Sequence, residues 1–523
     1  MTTHISSQKL RIIIKEEDWD QLLEYVKPKY FVRQESEMLP DASILAQICQ
    51  ILVTETTLDK IKILCLKCLG NSCLDTYKYK RHTLENIESD EYEKNLYNEL
   101  AKSNLCEHTH KQDCDYPHES HFPYDGVIKW TINYIKTHNK STERDYLTDS
   151  ESLDIFRLSI QFLCNLFTYA CPSIASPNND ALRYLDCDNL KQAILNSMQF
   201  EHRPLVSAAC IYVHNALKEL HYTYFANNEK ALYLHLLKPI KGGFTSAKDA
   251  FLRLLHHSNG FENVYNSMAM SEKLDLLEII YNELWESWQS DHCIVLTDDQ
   301  AEFLALTFCK NSDLILKTVD TYVDSVNPTE IILILNILGL LTTRYKFSRN
   351  ARPLLINCKY LLMSLHMLGK EGNNYFTPIT NLSQVAPNSQ EETTVVNSII
   401  HNEATIVKCD LQDHPAYGFK AGLIQVIANM VHKNKMCQDL FREIDGIPLL
   451  LDCCNIDARN PLILQWVIFA VRNLCEGNPE NQNVIRNCKM EGVPNNSLLE
   501  TMGLTLHEDP DGNSIRIAPL RRA

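Results

Sequence analysis

The sequence predicts an all-α protein, an α-solenoid of helical repeats stacked side by side in a right-handed superhelix. Three observations lead there. Apolar residues recur at three- and four-residue spacing along most of the chain, while strand-like alternation between turn dipeptides is nearly absent. Glycine is scarce, 15 in 523 residues, which disfavours a protein built from sheets and tight turns. A stretch of about twenty residues near the C-terminus also repeats itself, and repeats with a period of a few tens of residues mark stacked architectures. At this length a single compact core stops growing, so lobes or a stack are expected.

Taken in order, helices are expected at 42–53, 57–74, 152–171 and 203–225, where apolar residues fall at i, i+3, i+4 and i+7 over three or more turns. Further helices follow at 229–238, 246–257, 271–288, 298–316, 329–344 and 353–368, separated by short polar or proline-bearing breaks such as Val326-Asn327-Pro328. Two stretches break the rhythm: residues 84–126 are polar and rich in His and Asp, and 371–418 are rich in Asn, Gln, Thr and Pro. The expected organisation is 1–370 as N-terminal helical repeats with the polar insert, 371–418 as a flexible loop or linker, 419–503 as a C-terminal helical domain, and 504–523 as a tail without helical pattern.

The repeat is clearest when 423–442 is laid over 467–486. Asn429 then falls on Asn473, Asn434 on Asn478, Gln438 on Gln482 and Arg442 on Arg486, an offset of 44 residues. Fainter echoes place Asn71, Asn165 and Asn215 within apolar helices at one or two such intervals, the range of armadillo and HEAT units. Each unit is two or three helices that cannot bury their apolar faces alone, so neighbours must stack. In the last unit Asn478 and Pro479 start a short helix, Gly446 precedes a second, and Asn460 and Pro461 are read as the cap and first residue of a third running to Cys475.

"AVRNLCEGNPENQNVI" (470–485) and "DGIPLLLDCC" (445–454) resemble the generic armadillo repeat, and the whole of 419–485 resembles the C-terminal domain of the ataxin-10 family. "CLKCLGNSCLD" (65–75) and "LSIQFLCNLF" (158–167) are similar to that family's N-terminal repeats in the same order, whereas the insert at 84–126 departs from it. The resemblance implies a non-catalytic scaffold acting in cytokinesis and neurite growth. It further implies cytoplasmic, perinuclear and centrosomal, basal-body or midbody settings. The partners it implies are a G-protein β subunit, the O-linked GlcNAc transferase and further copies of the chain.

An asparagine on the third helix can bond the adjacent repeat or the backbone of a bound peptide. Importin-alpha-like grooves pair each such Asn with a Trp one turn earlier, but here those positions hold Lys67, Gln161, Ile211, Gln425 and Phe469, which disfavours a transport receptor despite the net charge of −16. Asn429, His432, Trp466, Arg472 and Asn473 are the residues singled out as a candidate protein-binding set.

Other chemistry finds little support. No long Lys/Arg run accompanies the acidic balance, so nucleic acid is not expected as a partner. The apolar run 331–341 is too short to span a bilayer and the first 25 residues lack a signal-peptide core, so an intracellular chain with reduced cysteines is expected. Phosphate-binding glycine loops, kinase signatures, G-x-S-x-G and H-E-x-x-H are all missing, and no catalytic residue or cofactor is expected. Cys106, His108, His110, Cys114, His118 and His121 crowd sixteen residues with zinc-compatible donors, but their spacing matches no common finger. Cys65-x-x-Cys68 lies in an apolar helix and reads as core.

Overall fold

The computed structural model of the chain describes residues 5–32, 42–82, 124–139, 150–168, 187–217, 229–258, 260–290, 296–318, 328–371, 374–379, 414–488, 504–508 and 515–519. The chain divides into two compact units, Met1–Gly260 and Phe261–Ala523.

In the first unit the described helices are α1 (Ser7–Lys15), α2 (Trp19–Tyr25), α3 (Ala42–Val53), α4 (Asp59–His82), α5 (Asp125–Asn139), α6 (Ser150–Thr168), α7 (Asp188–Ser197), α8 (Arg203–Ala216), α9 (Glu229–Lys241) and α10 (Thr245–His257). Four of them, α4, α6, α8 and α10, pack in succession, and the remaining helices cover their flanks. The apolar stripe read from the sequence is the buried stripe: Ile155, Phe156, Phe162 and Leu163 of α6 are closed off from solvent. Aromatic edges lock successive layers, with Phe167 against Tyr212 at 6.1 Å and Tyr233 against Phe251 at 5.7 Å.

The second unit repeats the plan with α11 (Phe261–Ser267), α12 (Met270–Ser290), α13 (Asp298–Asn311), α14 (Thr329–Leu341), α15 (Ala351–Glu371), α16 (Phe419–Met430), α17 (Lys435–Glu443), α18 (Gly446–Asp452), α19 (Ile463–Cys475) and α20 (Pro479–Asn487). Here α12, α14, α16 and α19 form the succession, while α15 packs on α13, α16 and α17. Apart from a short strand pair near the C-terminus, the described residues of each unit are helical, of the armadillo/HEAT-like solenoid type, helices stacking to supply one another's core. Helix α14 is apolar nearly all round because it is packed on several sides, and its buried Glu330 is satisfied by the Tyr265 hydroxyl at 2.7 Å. Helix α13 starts with a reciprocal capping box between Thr297 and Gln300.

Helix positions follow the periodicity closely, but one cap differs from the sequence reading. Asn460 does not cap the helix after it. That helix begins at Ile463 behind Leu462, whose φ of 63° is left-handed, while Asn460 is buried and its Oδ1 accepts from the N–H groups of Lys420 and Ala421 at the start of α16. The asparagine caps its neighbour's helix, a role that linear spacing cannot reveal.

Both described ends of the stretch 371–418 are tied to the loop before α19. Ile379 donates its N–H to Asp457 Oδ1 at 3.0 Å, Arg459 reaches the carbonyls of Asn374 and Thr377, and the Gly418 N–H donates to the Arg459 carbonyl at 2.7 Å. The tail, read as lacking helical pattern, contains an antiparallel pair, β1 (Leu504–Glu508) and β2 (Ile515–Pro519), with Leu506 opposite Ile517.

A ladder of asparagines and a candidate interaction surface

Four of the asparagines that the repeat brings into line bond the residue just before the equivalent position of the preceding rung. Asn165 donates its side-chain amide to the carbonyl of Gly70, the residue before Asn71, at 3.0 Å. Asn215 donates to Sγ of Cys164, the residue before Asn165, at 3.2 Å, and Asn473 donates to the carbonyl of Ala428, the residue before Asn429, at 2.9 Å. Asn429 reaches the Gly339 carbonyl at 3.0 Å and Thr342 Oγ1 at 3.2 Å, so Leu340 stands in α14 where the other rungs carry asparagine. The first rung, Asn71, donates to the Pro28 carbonyl at 2.9 Å. Each amide thus fixes the register of its helix on an earlier element, and the geometry favours the inter-repeat reading for Asn429 and Asn473.

In the last two repeats this extends into a buried polar network. Gln438 donates to the carbonyls of Val431 and Asn473, Asn481 donates to the Leu474 carbonyl at 2.8 Å, and Asn478 bonds Gln438 and Asp439 while capping α20 through Asn481. Arg442 closes the ring on Asp439 and Asn481, each at 2.8 Å. Such a network holds only if every member is satisfied, which explains the dense Asn/Gln usage in these two segments. Gly477, at φ 65°, then turns the chain out of α19 in the left-handed conformation that ends many helices.

The remaining candidates fall on the surface. His432 is exposed, and its Nδ1 lies 3.4 Å from Asn473 Oδ1. Trp466 is half-buried with its ring 6.1 Å from that of Phe469, and Arg472 is exposed. The structure therefore brings His432 to Asn473 and Trp466 to Phe469, but buries Asn473. Sequence reasoning missed Leu462 and Ile468, which are 61% and 59% exposed. Leu462 is the residue before α19, and on the helix Ile468 and Phe469 stand four and three residues before Arg472, on a side apart from the core stripe of Ile463, Val467, Ala470 and Leu474. That second apolar side was the available signal.

Reactive chemistry fares less well. Cys453 Sγ stands 3.7 Å from His366 Nδ1, and His366 Nε2 stands 3.7 Å from Asp452 Oδ2, the order of a nucleophile, base and orienting acid. Burial, however, pushes the Cys453 thiol up to about 12, and burial together with Lys370 and Lys420 holds His366 below the ordinary imidazole value. A thiol protonated at neutral pH next to a poor base is not an attacking group. Cys65 and Cys68 are fully buried, with burial raising both, so this pair is core as read from sequence. Among the described residues no group of three or more His, Cys, Asp or Glu side chains could hold a metal. The cluster Cys106, His108, His110, Cys114, His118 and His121 lies outside the described residues. No described helix is long and apolar enough to cross a membrane.

Fold and ladder together define an armadillo-type helical-repeat protein. A family model described as the spinocerebellar ataxia type 10 protein domain matches residues 419–517. Ataxin-10 of Bos taurus is 26% identical over 380 residues, covering 70% of this chain and 72% of that protein. Ataxin-10 of Xenopus tropicalis is 32% identical over 251 residues, 47% of each chain, and the ataxin-10 homolog of Dictyostelium discoideum is 45% identical over 95 residues, 18% of this chain and 16% of that one. The chain is thus similar to the ataxin-10 proteins, and its residues 419–517 match that family's domain model.

Proposed function

We propose that this protein is a non-catalytic scaffold that captures other proteins on the outward stripe of α19. The observation that carries the reading is a division of labour on one helix. Its buried asparagine bonds the neighbouring repeat, while Leu462, Ile468, Phe469 and Arg472 offer solvent the mixture of large apolar side chains and arginine that concentrates binding energy in protein interfaces. Trp466 lies against Phe469 of this stripe. The protonated, buried thiol beside His366 supports the non-catalytic half of the reading.

The family resemblance supplies the partners of this proposal: a G-protein β subunit, the O-linked GlcNAc transferase and a second copy of the chain. It also supplies the setting, a cytoplasmic and perinuclear protein of centrosome, basal body or midbody acting in cytokinesis and neurite growth. The test is capture of the two purified partners by the full chain carrying Ile468→Asp together with Arg472→Glu. Affinity falls by more than about tenfold with the melting temperature unchanged. Undiminished capture of both partners contradicts the assignment.

A further inference from the structure

Ser348 lies in the irregular connection between α14 and α15, within the stretch Arg344-Tyr345-Lys346-Phe347-Ser348-Arg349-Asn350-Ala351-Arg352. Arg344, Lys346, Arg349 and Arg352 give this connection a strongly cationic character, and Ser348 itself is exposed. Behind it stands the buried carboxylate of Glu302 from α13. Glu302 Oε1 accepts from the N–H groups of Ser348 at 2.7 Å and Arg349 at 3.0 Å and from the Ser348 hydroxyl at 3.3 Å, while Oε2 accepts from the Asn350 N–H at 2.9 Å. The Glu302 carbonyl also accepts from Asn350 Nδ2 at 3.0 Å, and Arg349 pairs with Asp299 one turn earlier on α13. One carboxylate from a different helix thus accepts from three successive amides leading into α15, the last of them that of Asn350 directly before its first residue, with the charge sign a helix N-terminus favours.

We propose that Ser348 is a phosphorylation site for a serine/threonine kinase with an acidic substrate cleft, and that the phosphoryl group unlatches the start of α15 from α13. Ser348 Oγ forms a bond to the γ-phosphorus of a nucleoside triphosphate and the bond from that phosphorus to the diphosphate oxygen breaks. The hydroxyl proton passes to the kinase's base, leaving phosphoserine and a nucleoside diphosphate. The cationic residues on both sides of Ser348 provide the charge complement to such a cleft.

The consequence follows from position. The hydroxyl that donated to Glu302 can no longer donate, and roughly −1.5 to −2 charges arrive one bond beyond an oxygen that sits beside a buried carboxylate. Like charges this close, one of them buried, repel. Arg349 is drawn from Asp299 to the phosphate, and the N–H groups of Ser348, Arg349 and Asn350 lose their acceptor. Because α15 packs on α16 and α17, loosening its first turn reaches the C-terminal repeats.

The test has two arms on the full chain. Incubation with Mg-ATP and the purified catalytic subunit of a basophilic kinase, followed by peptide mapping, places phosphate on Ser348; a folded chain that takes phosphate at other serines but none at Ser348 overturns the site. In the second arm phosphoserine is installed at 348 during synthesis. Hydrogen exchange of the amides 348–354 rises by about tenfold or more, reverses on phosphatase treatment, and rises much less in a Glu302→Gln background. Ser348→Ala, which adds no charge, stays within about threefold of the parent. Exchange that is unchanged or slower in the phosphorylated chain, as it would be if the phosphate simply replaced Glu302 as the cap, overturns the unlatching.

Discussion

The side-chain amide of Asn473 donates to the backbone carbonyl of Ala428 at 2.9 Å, and Ala428 is the residue directly before Asn429. The same one-residue offset recurs between Asn165 and Gly70 in the other unit, so the bond is a property of the repeat. Asn473→Ala removes it and strands a buried carbonyl. Urea titration of the full chain is expected to show a loss of about 1–3 kcal/mol in the transition that includes α19. An unchanged midpoint would mean that the amide does not fix the register.

Asn460 provides a second test of bonding across elements. With Asn460→Ala the amides of Lys420 and Ala421 lose their acceptor, and the cost is that of a helix cap, about 1–2 kcal/mol. Hydrogen exchange locates the effect: amides at the start of α16 exchange faster. Faster exchange confined to the first turn of α19 would restore the sequence reading in which Asn460 caps its own helix.

How much was legible in the sequence can be argued from these asparagines. Spacing put Asn71, Asn165, Asn215, Asn429 and Asn473 at equivalent positions, because a 3.6-residue period and a repeat interval are both one-dimensional quantities. The helices and caps such as Asn478 were legible for the same reason, since a cap acts within its own chain segment. Their partners were not legible. Asn460 bonding Lys420, Glu302 bonding Ser348 and Asp457 bonding Ile379 join residues far apart in the chain, and nothing local marks the acceptor. Of the stripe proposed for binding, Arg472 and the neighbouring Trp466 are named from the sequence, whereas the exposure of Leu462 and Ile468 depends on which side of α19 its neighbours cover.

Acid sensitivity follows from His414, which stacks on Tyr375 at 3.7 Å between ring centroids and is held down to about 4 by burial and by Arg459. The unfolded imidazole, near its ordinary value of 6.5, binds more protons than the folded one between those two limits. Stability is therefore complete above about pH 6.5 and is lost as pH falls toward 4, by at most about 3 kcal/mol. Denaturant midpoints measured across this window check it. His414→Phe, which cannot be protonated, flattens the slope; an undiminished slope places the acid sensitivity elsewhere.

Buried thiols give a direct readout of packing. Timed alkylation with mass-spectrometric mapping should label exposed Cys454 and Cys488 within minutes, while Cys65, Cys68 and Cys358 stay protected until the chain is unfolded. Early labelling of Cys65 and Cys68 would show that the α3–α4 layer opens far more readily than its burial implies.

The pin between Tyr265 and Glu330 is the corresponding test in the second unit. Tyr265→Phe keeps the ring and removes the donor, leaving the buried carboxylate with Lys273 at 3.9 Å. The expected cost is about 1–3 kcal/mol by thermal or urea unfolding.

The central claim is that α19 uses its asparagine inward and its outer stripe outward. It is tested most directly by measuring melting temperature and partner capture on the same preparations of Asn473→Ala and of Ile468→Asp with Arg472→Glu. The account predicts a lowered melting point with capture retained at low temperature for the first, and an unchanged melting point with capture lost for the second. The reverse pattern, a stable Asn473→Ala chain that no longer binds beside a surface variant that binds normally, would contradict it.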